Sequence, residues 1–392
     1  MPNGKHLSIL FVAYPLLGVT EESAGGAEQM LLTVEREMLA RGHRTTVAAA
    51  DGSRVCGKLL PTGLPASLPD EFERREREHN ARILDYLRSH PREFDLIHDK
   101  SGGFFRLADR CPVPVLATLH LPRAFYREEW FGATEDCHHE RSEGSAVLPS
   151  HGKQIPRIAR NDNLLIRADA HSPNLYFNCV SESQARTFAD LRNVLGVVQN
   201  GIAVEQFAFT RDKDNYVLWL GRVCEEKAPH LAIAAAQRAG LPLIIAGQVY
   251  PFSYHQQYFE REIRPHLNGR VRFADTPLKS RKLDLLRHAR ALLLTSTAEE
   301  TSSLVAMEAM ACGTPVVAFR RGAFPEIVAD GETGFVVDAL DEMAAALGEV
   351  ERISPQACRE RVGRRFSASR MANEYEALYK GELVAAREHA AA

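Results

Sequence analysis

Short, fully apolar runs recur along this chain between stretches of helical periodicity. Residues 7–14, LSILFVAY, form the first such run, as expected of a central strand covered on both faces. A loop over 15–26 follows. The helix predicted over 27–40 then carries Met30, Leu31, Val34, Met38 and Leu39 on one face and stops at Gly42. Residues 45–50 read as the next strand. Further strands are expected at FDLIHD, VPVLATLH and LYFNCVS. The charged stretch over 70–90 reads as a surface helix, with Phe72, Ile83, Leu84 and Leu87 as its apolar positions. Ser181 or Ser183 is suited to start a helix. A second alternating series opens at NYVLWLG and continues through a helix over 228–239, LPLIIAG, a helix around 258–265, VRFAD, KLDLLRHA and ALLLTST. The last helical region, over 367–386, spaces Met371, Tyr375, Leu378 and Tyr379 on one face. This is the pattern of an α/β protein with two parallel, doubly wound sheets.

Between residues 121 and 173 the periodicity lapses into a long segment rich in Gly, Ser, Pro and aromatics, the kind of insertion that faces a ligand. Its Cys137, His138, His139 and His151 lack the paired spacing of a structural zinc site. The triplet Asp212-Lys213-Asp214 precedes a strand and reads as polar linker.

The chain has 392 residues, 25% charged and 45% hydrophobic, enough for two ordinary domains. A formal net charge of −3 and the lack of a basic block argue against nucleic acid as a partner. No apolar run approaches the roughly 20 residues of a membrane span. The seven scattered cysteines suit reduced thiols, and a cytoplasmic location is expected.

The chemistry concentrates at Thr297 to Phe319, TAEETSSLVAMEAMACGTPVVAF. It reads as a loop, a helix and a buried strand, with Ser302 or Ser303 as N-cap and Gly313 and Pro315 ending the helix. The free amides of such a helix start attract phosphate. Glu300 and Glu308 flank the start, where carboxylates can accept from vicinal hydroxyls. In GRVCEEK, Arg222 and Lys227 stand at a strand end, where cations can stabilise a departing diphosphate. His98-Asp99 and His120 end strands of the first series, where open α/β sheets place ligands. The first loop ends in AGGAE and not in Gly-x-Gly-x-x-Gly, so a dehydrogenase fits poorly.

The stretch around Glu300 closely resembles the donor-binding motif of the family 4 retaining glycosyltransferases, and the resemblance extends over nearly the whole chain, most specifically 221–338. It implies the GT-B fold: a first Rossmann-like domain over 1–204 facing the acceptor, a second over 205–366 holding the nucleotide-sugar, and a C-terminal helix over 367–392 crossing back to the first. It also implies that VVQNGI (197–202) forms the last strand of the first domain and the interdomain turn, that Glu300 contacts the transferred sugar and that Glu308 contacts the ribose. Arg222 and Lys227 would bind the diphosphate, His120 would line the reaction centre, and Gly25 and Gly26 would lie over the diphosphate. The loop at Pro277 and Leu278 would hold the base, and Thr301, Ser302, Ser303, Leu304 and Val305 would complete the donor site. Many members have an aromatic-glycine pair where this chain has Thr301, Ser302 and Ser303. The implied reaction moves a sugar, with UDP favoured as carrier, to a saccharide or small-molecule hydroxyl, with retention and no cofactor or required metal. A sugar-nucleotide epimerase of the same fold and a non-catalytic nucleotide-sugar-binding protein are the alternatives.

Overall fold

The computed structural model describes residues 6–23, 25–66, 71–131, 172–275 and 278–384. Cys137, His138, His139, His151, Pro277 and most of the 121–173 insertion lie outside them.

The first sheet contains β1 (Ser8–Val12), β2 (Arg44–Ala49), β3 (Lys58–Pro61), β4 (Leu96–Asp99), β5 (Val115–Leu119), β6 (Leu175–Cys179) and β7 (Val194–Val197). They lie in the order β3-β2-β1-β4-β5-β6-β7. The second contains β8 (Val217–Leu220), β9 (Leu243–Gly247), β10 (Val271–Asp275), β11 (Ala291–Leu294), β12 (Val316–Phe319) and β13 (Gly334–Val337), in the order β10-β9-β8-β11-β12-β13. Neighbouring strands pair in parallel throughout; Phe11, for example, stands between Val47 and His98. The helices are α1 (Gly26–Ala40), α2 (Phe72–Ser89), α3 (Glu182–Thr187), α4 (Pro229–Arg238), α5 (Ser253–Tyr258), α6 (Lys279–His288), α7 (Leu304–Ala311), α8 (Phe324–Ile327), α9 (Leu340–Glu349), α10 (Pro355–Arg365) and α11 (Ala368–Leu378).

The apolar runs form the central strands because helices cover both faces: Ile9, Leu10, Phe11 and Val12 are fully buried. In each sheet the strand order reverses at one place, between β1 and β4 and between β8 and β11. The crevices outside those strand ends are where doubly wound sheets bind ligands.

Some expectations are corrected. The last strand of the first sheet, expected with the interdomain turn at 197–202, lies earlier, at Val194–Val197, and the residues after it form the passage to the second sheet. The helix expected around 258–265 begins at Ser253 and widens to a π-helical turn at Phe259–Ile263. Ser181, not Ser183, caps α3. The edge strand β3 carried no periodic signal. Among the described residues no helix is long and apolar enough to cross a membrane, and the six described cysteines are free.

His98 and Asp99 are structural groups. The His98 ring, fully buried, hydrogen-bonds with Tyr379 Oη at 2.6 Å and Thr118 Oγ1 at 2.7 Å. The Asp99 carboxylate accepts from the Ser101 amide and hydroxyl and from the Phe105 amide. Both residues serve the packing of the first sheet, His98 by anchoring the turn that continues α11. This helix is fastened to α1 and β2 as well, since Arg41 reaches Ser369 O and Asn373 Oδ1, and His43 meets Glu376. Where the chain passes between the sheets, Ile202 exchanges backbone bonds with Phe366 and Ala368. A Cβ on Gly201 would stand 2.4 Å from Ser367 O, so only glycine permits that crossing.

Burial of neutral histidines makes this fold acid-sensitive. His79, bonded to Thr62, is pushed down from 6.5 to about 3 by burial. Between those pH values the unfolded chain binds a proton that the folded chain refuses, so stability falls as pH drops through the window. This ring alone is expected to cost about 2 kcal/mol between pH 6.5 and 5. Urea midpoints at both pH values should show the loss, and His79→Leu should flatten that slope whatever its effect at neutral pH.

Candidate active site

The loops after β8 and β11 build one side of the cleft. Trp219 Nε1 donates to Thr295 Oγ1, and the Thr295 hydroxyl lies 2.8 Å from Ala228 O and 3.0 Å from Lys227 O. The Thr297 amide donates to Glu226 O. These bonds strap the Gly221–Ala228 turn to the loop carrying Glu300. Ala228 has φ +47°, alone among the described non-glycine residues in being positive; such backbone is retained where surrounding contacts over-determine it. The result directs Lys227 inward. Its Nζ lies 2.5 Å from Glu300 Oε1, which also accepts from the Ser296 hydroxyl.

A second support comes from the turn before α8. Ala323 N donates to Glu300 O at 2.6 Å, and Gly322 N donates to the Glu299 carboxylate. Gly322 has φ +51°, and a Cβ there would stand 2.1 Å from Glu300 O. Glu300 is thereby fixed through both its main chain and its side chain.

Ser303 is the cap of α7: its hydroxyl accepts from Ala306 N at 3.3 Å. Ser302 Oγ is buried without a hydrogen-bond partner. The remaining amides of this first turn form a locus of positive potential beside Lys227. Glu308, one turn further in, is buried and paired with Lys282 Nζ of α6 at 2.7 Å.

The first sheet closes on this structure from the other side. Thr301 Oγ1 donates to His120 O at 2.7 Å, linking the end of β5 to the α7 loop. His120 N donates to Tyr126 Oη at 3.1 Å. Burial, and then the nearby Lys100 charge, hold the His120 ring neutral by pushing its pKa well below 6.5, and its Nε2 is buried without a partner. Gly26 lies over Leu304, a Cβ at that position falling 3.5 Å from Leu304 Cδ1. At Gly25 a Cβ would collide with the Glu28 carboxylate at 1.8 Å.

Thus His120, Lys227, Glu300 and Thr301 form one chain of contacts across the cleft, and Gly26 meets Leu304 beside it. Val305 lies partly buried in the first turn of α7. Two expected residues stand apart from that chain. Arg222, exposed at the head of its turn, is hydrogen-bonded with the Cys224 side chain, and Leu278, 79% exposed, stands at the N-cap of α6. Sequence reasoning missed Ser296, Lys282 and Glu28. Of these, only Glu28 carried a signal, in AGGAE; the other two acquire their partners through tertiary contact.

Chemically, a fixed carboxylate, a lysine and a helix start converge, and the main chain of His120 is tied to them through Thr301. The lysine can spend one of its three N–H donors on Glu300 and offer the others to an anion.

Comparison with known proteins identifies the fold and the family. Residues 204–363 match the family model described as glycosyl transferases group 1. A D-inositol 3-phosphate glycosyltransferase from Corynebacterium efficiens is 32% identical over 327 residues, spanning 76% of this chain and 73% of the relative. The protein of that name from Corynebacterium diphtheriae is 23% identical over 89% of this chain and 86% of its own. Among solved structures, sucrose-phosphate synthase from Thermosynechococcus elongatus superposes with a TM-score of 0.71 at 19% identity, covering 99% of this chain and 100% of that one. Anabaena Alr3699/HepE, in complex with UDP and glucose, superposes with a TM-score of 0.65 at 18% identity, covering 95% and 98%. The two facing parallel sheets carry the GT-B fold, and with a relative of this identity over most of its length the chain belongs to the glycosyl transferases group 1 and is a glycosyltransferase.

Proposed function

We propose that the chain transfers a sugar, with retention and without a required metal, from a nucleotide diphosphate-sugar to a hydroxyl of a saccharide or small molecule. The observation that carries this reading is the chain of contacts from Lys227 through Glu300 and Thr301 to His120. It brings a cation and a carboxylate together beside a helix start and ties them to the main chain at His120. The anomeric carbon–oxygen bond breaks toward the diphosphate, whose charge is taken up by Lys227, Arg222 and the α7 amides. The acceptor oxygen attacks from the same face, and its proton passes to the departing phosphate oxygen. Glu300 and His120 orient the sugar. Glu308 takes the ribose, and the loop ending at Leu278 takes the base. UDP is favoured as carrier because a protein of the same fold was solved with UDP and glucose.

For the acceptor, a hollow outside the ends of β1 and β4 offers Tyr14, Glu76, Asn80 and Trp130. Arg106, beside it, is paired with Glu76 at 2.5 Å and stacked on Trp130 at 4.6 Å. Aromatic faces with carboxylates suit a neutral polyol better than a phosphate. The test follows nucleoside diphosphate release and the anomeric configuration of the product for UDP-, GDP- and ADP-sugars, with EDTA and with neutral or phosphorylated acceptors. Acceptor-dependent release from a UDP-sugar, insensitive to EDTA and giving a retained anomer, is expected. Sugar isomerisation without an acceptor would contradict the reading.

Glu308→Ala is expected to weaken UDP binding about 10- to 100-fold in calorimetric titration. Hydrogen bonds to a charged group contribute about 1.5–3 kcal/mol. An unchanged dissociation constant would remove Glu308 from the nucleotide site.

A further inference from the structure

Beside Arg222, whose side chain is hydrogen-bonded with the Cys224 thiol, three side chains meet that have been given no role in the transfer reaction. Cys224 and Glu226 belong to the turn after β8, and His255 belongs to α5. One potential ligand atom from each lies within 4.8 Å of the others. Cys224 is fully buried, His255 is 3% exposed, and Glu226 is half-buried. His255 Nδ1 is buried without a hydrogen-bond partner. An unpaired buried polar atom of this kind costs about 1–3 kcal/mol. The fold keeps it where a thiol and a carboxylate converge. The ring is held in place by Tyr254 and Phe252, with ring centroids 4.3 and 5.6 Å away, so its direction is set before any ligand arrives.

We propose that Cys224, Glu226 and His255 form a three-ligand site for a zinc-class divalent cation, with water as the fourth ligand. Sulfur, imidazole nitrogen and one carboxylate oxygen are the donors such a cation prefers, whereas magnesium and calcium favour oxygen sets. On binding, the Cys224 thiol releases its proton, thiolate and carboxylate together offset the dication, and Arg222 gives up its bond to the sulfur. Bonds of about 2.0–2.3 Å in tetrahedral geometry separate ligands by about 3.3–3.8 Å. The cluster therefore needs to contract by at most about 1.5 Å, within reach of the half-buried Glu226 side chain. A cation here would pin the β8–α4 turn to α5, two residues from Arg222. Its role is to position that turn and, by taking the Cys224 sulfur, to release Arg222 toward the diphosphate.

The full chain, stripped with a chelator and kept reduced, is titrated with Co(II). The expected result is one cobalt per chain with a thiolate-to-cobalt charge-transfer band, displaced by Zn(II). Affinity should fall at least about tenfold in Cys224→Ser and in His255→Ala, since even outer contacts of a metal site cost that much. Cys56→Ser, which removes an exposed thiol, should leave the band intact. Should Cys224→Ser fail to fold, His255→Ala and Glu226→Gln carry the same comparison at positions that leave the thiol in place. Absence of a thiolate band at stoichiometric cobalt overturns the proposal. So does a band whose affinity is unchanged in the ligand variants, which would locate the metal elsewhere.

Discussion

Lys227→Ala is expected to lower kcat/KM for sugar transfer by about two to three orders of magnitude, the range seen when one preorganised donor to a developing anion is removed, or about 2.7–4 kcal/mol. The geometry gives the reason. Lys227 is aimed by a turn with a left-handed residue behind it and by Thr295 beneath it, and its ammonium meets Glu300 at 2.5 Å. Removing it withdraws positive charge from the leaving diphosphate. It also leaves Glu300, largely buried, with Ser296 as its remaining side-chain donor. Both losses act in the transition state, so kcat should fall more than KM rises. Lys227→Arg should recover only part of the rate, because a planar fork does not reproduce the compact ammonium between carboxylate and phosphate. Steady-state kinetics that show less than about a threefold change would take Lys227 out of the reaction.

The second large effect is on stability. Tyr375→Ala is expected to destabilise the first-sheet domain by about 3–5 kcal/mol, as for other buried aromatic truncations. Tyr375 is fully buried. Its hydroxyl lies 3.0 Å from Lys100 Nζ, 3.2 Å from Thr118 Oγ1 and 3.4 Å from Asn178 Nδ2. Its ring carries the Lys100 ammonium 4.4 Å from the centroid. Truncation would open a cavity and strand a buried cation at once. Burial already pushes the Lys100 pKa down, and losing the ring would push it further. Tyr375→Phe keeps the ring and removes the hydroxyl, and should cost about 1–3 kcal/mol. Urea unfolding of the three proteins would order them wild type, Phe, Ala. A loss below about 1 kcal/mol for Ala would mean that α11 does not brace the first sheet.

Much of this arrangement is legible in the sequence, because local rules and tertiary packing agree there. The apolar runs of β8, β9 and β11 are strands since nothing polar interrupts them, β1 and β5 carry one small hydroxyl each, and the α7 segment announces its cap and its stop. What escaped depends on partners distant in the chain. His98 stands at a strand end, where a sheet of this kind holds ligands, yet its bond to a tyrosine 281 positions later places it in the core. Lys282 is one cation among several in KSRKLDLL, and only the packing of α6 against α7 sets it on Glu308. The edge strand β3, half-exposed, has no alternation to betray it. The Ser302-or-Ser303 ambiguity was resolved by backbone geometry, which sequence does not contain.

The central claim is that the α7 start with Lys227 and Glu308 holds a nucleoside diphosphate. The most direct measurement is the thermal shift of the full chain with UDP, GDP and ADP, in buffer and in EDTA. At about one hundred times its dissociation constant a ligand adds about 2.7 kcal/mol to the folded state, which moves the midpoint by several degrees. The expected result is a shift with UDP that survives EDTA and falls to about half or less in Glu308→Ala. If no nucleotide shifts the midpoint, the site does not bind a nucleoside diphosphate and the account fails.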